Sequence, residues 1–206
     1  MSDILKTEEF LVNMGPQHPA THGVLRLLLT LNGEIVVRAV PHIGYLHRST
    51  EKILENREYI QVIPFLDRMD YLAAMCNELP YVLAMEKLMN IEVPERAQTI
   101  RVIIFELNRI VSHVMWWGNF GLELGAFTPM LYGFREREEG LNLFESISGQ
   151  RLTYNYMRIG GVARDLSEDF PQKAKNFLKI VKEKLKDYDD LITNNVIFQQ
   201  RTKNIG

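Results

Sequence analysis

Close to Ser49 the apolar residues of this chain change their spacing, and that change limits the fold more than any other feature. Before it, residues 24–31 and 34–40 are rich in Leu, Ile and Val and flank Asn32-Gly33. Asn-Gly suits a two-residue type I′ turn, in which both residues need positive φ, so the pattern predicts a hairpin. Phe10-Leu11-Val12-Asn13 is a candidate third strand. After residue 49 spacings of three and four take over. Ser49 or Thr50 can cap a helix through about residue 56. Residues 67 to about 90 form a second helical candidate, which Pro80 should kink or split. Pro94 suits the first position of a helix running to about residue 117, with Ile100, Ile103, Ile104, Leu107, Ile110, Val111 and Val114 on one stripe. Thr128-Pro129 opens a helix to about 146, and Pro171 another to about 193. A small N-terminal antiparallel sheet followed by a mainly helical body is an α+β arrangement. The boundaries read as 1–48 for the sheet and its loop and 49–206 for the helices. No closing element is visible in the last residues, 199–206.

With 206 residues, 46% of them hydrophobic and 24% charged, the chain can build a sizeable core. Disordered, collagen-like and coiled-coil classes are excluded. A net charge of −2 gives no electrostatic case for nucleic acid. The single cysteine, Cys76, cannot form an internal disulfide, a Cys-x-x-Cys metal site or, alone, the ligand set of an iron–sulfur cluster. No basic-then-apolar leader opens the sequence. The longest apolar stretch, 100–117, is interrupted by Arg101, Glu106, Asn108, Arg109 and His113 and does not read as a membrane span.

Four of the five histidines, His18, His22, His42 and His47, fall close together. The first two lie in Gly15-Pro16-Gln17-His18-Pro19-Ala20-Thr21-His22-Gly23, a segment with little that can pack. Loops of this kind hold functional groups on a scaffold, but the prolines could equally shape a turn with merely polar histidines. A metal site is disfavoured, because Pro19 denies the pair a helical i, i+4 geometry and thiolates are lacking. Asp67 and Asp70 read as first-turn acids that complement a helix dipole, and Tyr71 as a packed ring whose hydroxyl seeks a partner. Glu123, flanked by apolar residues, is either a surface group beside a helix or a paired, partly buried one. Arg135-Glu136-Arg137-Glu138-Glu139 reads as a solvated or ion-paired helix face.

Several ordered motifs together carry a resemblance. They are the stretch from Gly15 to Arg26, Pro41-His42-Ile43-Gly44-Tyr45-Leu46-His47-Arg48, Thr50-Glu51-Lys52, Asp67-Arg68-Met69-Asp70-Tyr71 and Cys76-Asn77-Glu78. Gly125-Ala126, Thr128-Pro129, Arg137-Glu138 and Arg158-Ile159-Gly160-Gly161 belong with them. The chain resembles the 49 kDa-type (D) subunit of the proton-pumping NADH:quinone oxidoreductase, respiratory complex I. It resembles the N-terminal half, so the C-terminal half of the family subunit is expected to be missing and the fragment alone to be inactive and unstable. The family is related to the large subunit of nickel–iron hydrogenases. Those hold their metals with two Cys-x-x-Cys pairs, which a chain with Cys76 alone cannot reproduce.

The resemblance implies that His22 and Tyr71 hydrogen-bond the carbonyls of a quinone headgroup. It implies that Glu123 stands where the family has the histidine's carboxylate partner, usually Asp. His18, Met115 and Phe134 match the quinone chamber. Arg48 matches an arginine near the terminal 4Fe–4S cluster of a neighbouring subunit, and Thr153 stands where some relatives carry a histidine beside that cluster. The implied function is to position quinone beside the partner's cluster and to supply protons for its reduction to quinol, coupled to proton pumping. No cofactor is expected on this chain itself; the 4Fe–4S cluster and FMN belong to partner subunits. The implied partners are the subunit carrying the terminal cluster, the adjacent peripheral-arm subunit and the membrane-arm subunit at the quinone entrance. The implied location is peripheral, on the cytoplasmic face of a bacterial inner membrane. A non-quinone scaffold subunit of a related membrane-bound, hydrogenase-like complex is the alternative, and a free-standing metalloenzyme is disfavoured by the ligand count.

Overall fold

A computed structural model describes residues 8–205, which divide into two compact units at residues 55 and 56. In the first unit, β1 (Glu9–Met14), β2 (Arg26–Asn32) and β3 (Ile35–His42) form an antiparallel meander in that order. Phe10 pairs with Leu31 and Leu29 with Ala39, and a bulge interrupts the second ladder between Thr30 and Leu31. The hairpin is present, but its turn is displaced by one residue from Asn32-Gly33. Asn32 pairs with Ile35, so the two loop residues are Gly33 and Glu34. Of these only Gly33 has positive φ, at 61°, which is the pattern of a type II′ turn. The alternation of β3 buries little: Ile35, Val36 and Val37 are all exposed. A short helix, α1 (Thr50–Leu54), ends this unit.

The second unit opens with α2 (Tyr59–Leu66), which the periodicity did not reveal. α3 (Ala74–Met89) begins later than expected, because residues 67–73 form turns. It also runs unbroken through Pro80. Losing one backbone bond and accommodating the ring costs about 3 kcal/mol in an isolated helix. Here the helix is anchored on both sides of the proline, by Asn108 at Met75 and by Arg101 at Glu86. α4 (Glu95–Glu123) takes Pro94 as its cap rather than its first residue, and α5 (Phe127–Ser148) ends at Gly149 with φ of 75°. A two-stranded ribbon, β4 (Met157–Arg158) and β5 (Gly161–Val162), precedes α6 (Phe170–Tyr188). A π turn (Asp189–Thr193) leads into α7 (Val196–Thr202), so the C-terminal segment carries a helix where none was expected. Its cap is the Asn195 side chain, which accepts from the amides of Ile197 and Phe198.

The core of this unit lies among α3, α4, α5 and α6, around Met75, Val82, Ile104, Val111, Phe144, Tyr156 and Phe170. Glycines let α4 and α5 approach closely. A Cβ on Gly133 would lie 2.8 Å from the carbonyl oxygen of Val114, and one on Gly118 would lie 3.0 Å from that of Pro129. On Gly140 it would meet Val111 Cγ2 at 2.2 Å. No helix among the described residues is long and apolar enough to cross a membrane.

Candidate functional site

The histidine loop of the first unit is held by its own backbone. Buried Thr21 donates its hydroxyl to the carbonyls of Pro16 and His18, each at 3.1 Å. Gly15 sits at φ of 92°, and a Cβ there would meet the carbonyl oxygen of Leu25 at 2.1 Å, so the loop can close only on glycine. His18 Nδ1 accepts from the Ala20 amide at 3.1 Å, which leaves Nε2 as the protonated nitrogen of the neutral ring. His22 ends the short 3-10 turn at φ of 52°, a left-handed conformation sparsely populated by residues with a side chain. Both imidazoles are exposed, as is Arg48 later in the same unit.

Tyr71 lies in the turn between α2 and α3, with its side chain 55% exposed. The ring is therefore not packed, as a reading from its apolar neighbours would have it. Its backbone, by contrast, is clamped. Asn108, fully buried on α4, accepts from the Met75 amide at 3.1 Å and donates to the Leu72 carbonyl at 3.4 Å. Asp70 Oδ1 accepts from the Leu72 amide, and Asn77 donates to the Asp70 carbonyl. Tyr71 is thus carried, half-exposed, on a turn whose main chain is tied at several points.

Met115 is half-buried and Phe134 is 39% exposed. They flank the point where Gly133 meets Val114, which places them at one crossing of α4 and α5. The Arg137 guanidinium lies 5.9 Å from the Phe134 ring centroid. Glu123 is the exposed last residue of α4. It stands 15 positions beyond Asn108, the anchor of the Tyr71 turn, which is about 22 Å along a helix axis. Within this unit, then, Met115 and Phe134 belong to one helix crossing, while Tyr71 and Glu123 sit at different levels of α4.

Sequence reasoning missed a set of buried polar groups. Asp67, read as a first-turn acid, closes α2 and is fully buried, as is Glu78 one turn into α3. Asp67 accepts from the Asn155 amide at 2.9 Å, and Glu78 accepts from the amides of Tyr156 and Met157. Burial is the main reason that the Glu78 carboxyl is pushed up to about 9, with Asp67 adding to it. Glu86 and Arg101 form a buried pair, and Arg101 also donates to the carbonyls of Arg158 and Gly161. Burial opposes ionisation of Glu86, but Arg101 and the Gly160 amide outweigh it and lower its pKa. Glu136, within the segment expected to be a solvated or ion-paired face, is buried and paired with Arg135. Cys76 is pushed up to about 11, chiefly by burial, so its thiol is not a ready nucleophile. Among the described residues no three His, Cys, Asp or Glu side chains converge as a metal site would require.

Two of the hollows in this unit differ in character. A polar one of about 440 Å³ is lined by Arg68, Arg158 and Arg164 together with Thr153, Tyr154 and Asn155. An apolar one of about 890 Å³ lies between α4 and α6, beside Trp116, Trp117 and Leu178, and none of the expected quinone-site residues lines it.

Comparison with known proteins agrees with the motifs. The family model for the respiratory-chain NADH dehydrogenase 49 kDa subunit matches residues 123–206. The NADH-quinone oxidoreductase D subunit of Desulforamulus reducens is 57% identical over 202 residues, which cover 98% of this chain and 55% of that protein. The chain belongs to this family. The D subunit of Geobacillus thermodenitrificans is 54% identical over 203 residues and that of Bacillus cytotoxicus 51% over 203, each match covering 98% of this chain and 56% of the relative. The chain thus spans little more than half the length of the relatives it matches.

Proposed function

We propose that this chain is the part of a 49 kDa-type subunit that presents the quinone headgroup with its proton donors, in an NADH:quinone oxidoreductase of the proton-translocating type. The observation that carries the reading is the Tyr71 turn: a half-exposed tyrosine on backbone that buried Asn108 holds in place. Preorganised donors of this kind stabilise charge as it develops on a substrate oxygen, because they need no reorientation when it appears.

Reduction of a quinone to a quinol consumes two electrons and two protons. This chain offers no redox centre among its described residues, so the electrons would be supplied by a 4Fe–4S cluster and FMN held by partner subunits. The residues here supply protons and position. In this reading Tyr71 donates a hydrogen bond to one carbonyl, and His22 donates to the other and transfers a proton. Glu123 orients the His22 ring and steadies its cationic form, as carboxylates do for histidine in other active sites. His18, with Nε2–H directed outward, is a further donor at the headgroup, and Met115 and Phe134 line the chamber. Arg48 faces the cluster-bearing subunit. The basic hollow containing Thr153 supports such contact, since three arginines suit an anionic neighbour. The adjacent peripheral-arm subunit and the membrane-arm subunit at the quinone entrance complete the surroundings, with the chain peripheral to the cytoplasmic face of a bacterial inner membrane. A common origin with the nickel–iron hydrogenase large subunit would make the chamber a former metal site.

The test is titration of a photoreactive quinone analogue into the assembled complex containing the full-length subunit. Labelling within residues 15–24 or 67–75, competed by quinone, is expected. Binding of the analogue with no label on this subunit would favour a scaffold role.

A further inference from the structure

Asp67 and Glu78 present a problem of donors and acceptors. Both side chains are fully buried, and they bond the adjacent amides of Asn155 and Tyr156, so the two carboxyl groups lie beside each other. An ionised carboxylate is an acceptor only, so contact between two of them requires a proton. The remaining bonds show where it fits. Glu78 Oε2 accepts from the amides of Tyr156 at 3.0 Å and Met157 at 2.6 Å, while Oε1 has only a 3.3 Å contact with the Tyr156 amide. Asp67 Oδ2 accepts from the Asn155 amide at 2.9 Å, and Oδ1 is buried with no donor among the described residues. A hydroxyl at Glu78 Oε1 directed to Asp67 Oδ1 satisfies both.

Among the described residues no cation forms an ion pair or hydrogen bond with either carboxyl. The groups acting on Glu78 are its own burial, Asp67 and the two backbone amides. Tyr154 faces Asp67 from the 151–157 loop, and Arg137 and Arg151 face Tyr154. Two like charges buried side by side cannot both ionise without a partner of opposite sign.

We propose that Asp67 and Glu78 form a proton-binding site, holding one proton at the seam between the Tyr71 turn and the Asn155–Met157 backbone. The ligand is the proton itself. Uptake gives a neutral Glu78 that donates to Asp67; release leaves two buried carboxylates facing each other, which must part or admit water. Asp67 is four residues before Tyr71 and Asn155 two after Thr153, so the site joins two segments that differ in chemistry. Its occupancy is linked to how firmly those segments are held together. The inference does not depend on Tyr71 touching quinone.

Infrared spectroscopy of the assembled complex, with the full-length subunit, reads the carbonyl stretch of a protonated carboxyl directly. The difference spectrum of wild type minus Glu78→Gln at neutral pH is expected to contain one such band. It should shift with isotope-labelled glutamate and disappear as the pH is raised. Asp67→Asn should remove the same band, because either amide can donate in place of the proton. Both variants should assemble and retain quinone reductase activity within about twofold of wild type at neutral pH. Their activity relative to wild type should rise at alkaline pH, where the wild-type pair loses its proton. Absence of the band, a band insensitive to glutamate labelling, or failure of both amide variants to assemble would overturn the proposal. The band present as expected while Tyr71→Phe leaves quinone reduction unchanged would count against the quinone reading and leave this site intact.

Discussion

A mobile phenol would lose entropy each time it met a substrate, whereas Tyr71 is carried on backbone already ordered by Asn108, Asn77 and Asp70. The histidine loop follows the same logic, with Thr21 and Gly15 as its fasteners. If His22 and Glu123 act as a unit, His22→Ala and Glu123→Ala should each lower quinone reduction, and the double variant should lose less than the sum of the two. Strictly additive losses would separate their roles. Glu123→Asp keeps the carboxylate and shortens its arm by one methylene, and is expected to keep near-normal turnover. Tyr71 and the histidine loop were legible from ordered motifs. Asn108, Glu78 and Glu86 were not, because a polar residue on an apolar stripe reads as an interruption. The available signal was the spacing itself: Met75, Glu78, Val82 and Glu86 recur at three and four, as do Ile104, Asn108 and Val111.

Among the elements, α4 and α5 depend on glycines that no helical pattern explains on its own. Gly133→Ala would force Val114 and the facing turn apart, with an expected cost of about 1–3 kcal/mol. The measurement is the thermal half-life of the assembled complex; an unchanged half-life would mean that the helices separate easily. Breaking the Glu86–Arg101 pair should cost more. Glu86→Ala leaves a buried guanidinium without its carboxylate and is expected to cost about 3–5 kcal/mol. It should also free the Arg158–Gly161 turn, which hydrogen exchange at Gly160 would register. The long helices were legible because period and length agree. Continuation through Pro80, the turn at Gly33-Glu34 and the ribbon of β4 and β5 depend on tertiary anchors, which local sequence does not display. α7 is short and carries no readable stripe.

For the whole molecule, the buried carboxyls give stability a dependence on pH with two opposite signs. Glu78 has a folded pKa raised above that of an ordinary carboxyl, so the folded chain holds a proton that the unfolded chain releases. Its contribution is full in acid and is lost as pH rises from the ordinary carboxyl range through about 9, with a slope on the order of 1 kcal/mol per pH unit. Glu86 is lowered, so its contribution is present above the ordinary range and is lost as pH falls through its depressed value. The denaturant midpoint of the full-length subunit should therefore decline toward alkaline pH, and Glu78→Gln should flatten that limb. A wild-type midpoint that rises over the same interval would contradict the assignment. Ile35, Val36 and Val37 on the sheet and Trp116, Phe127 and Leu131 on the helical unit expose apolar side chains. The most direct measurement of the proposed role is Tyr71→Phe in the assembled complex, assayed with quinone and, separately, with an artificial acceptor that takes electrons upstream. The change deletes one hydroxyl from a half-exposed side chain, so assembly and artificial-acceptor activity should remain at wild-type level. Quinone reduction should fall by the worth of a hydrogen bond, about 0.5–1.5 kcal/mol, or more if the donor meets developing negative charge. Equal loss of both activities, or loss of neither, would contradict a quinone-binding role for this chain.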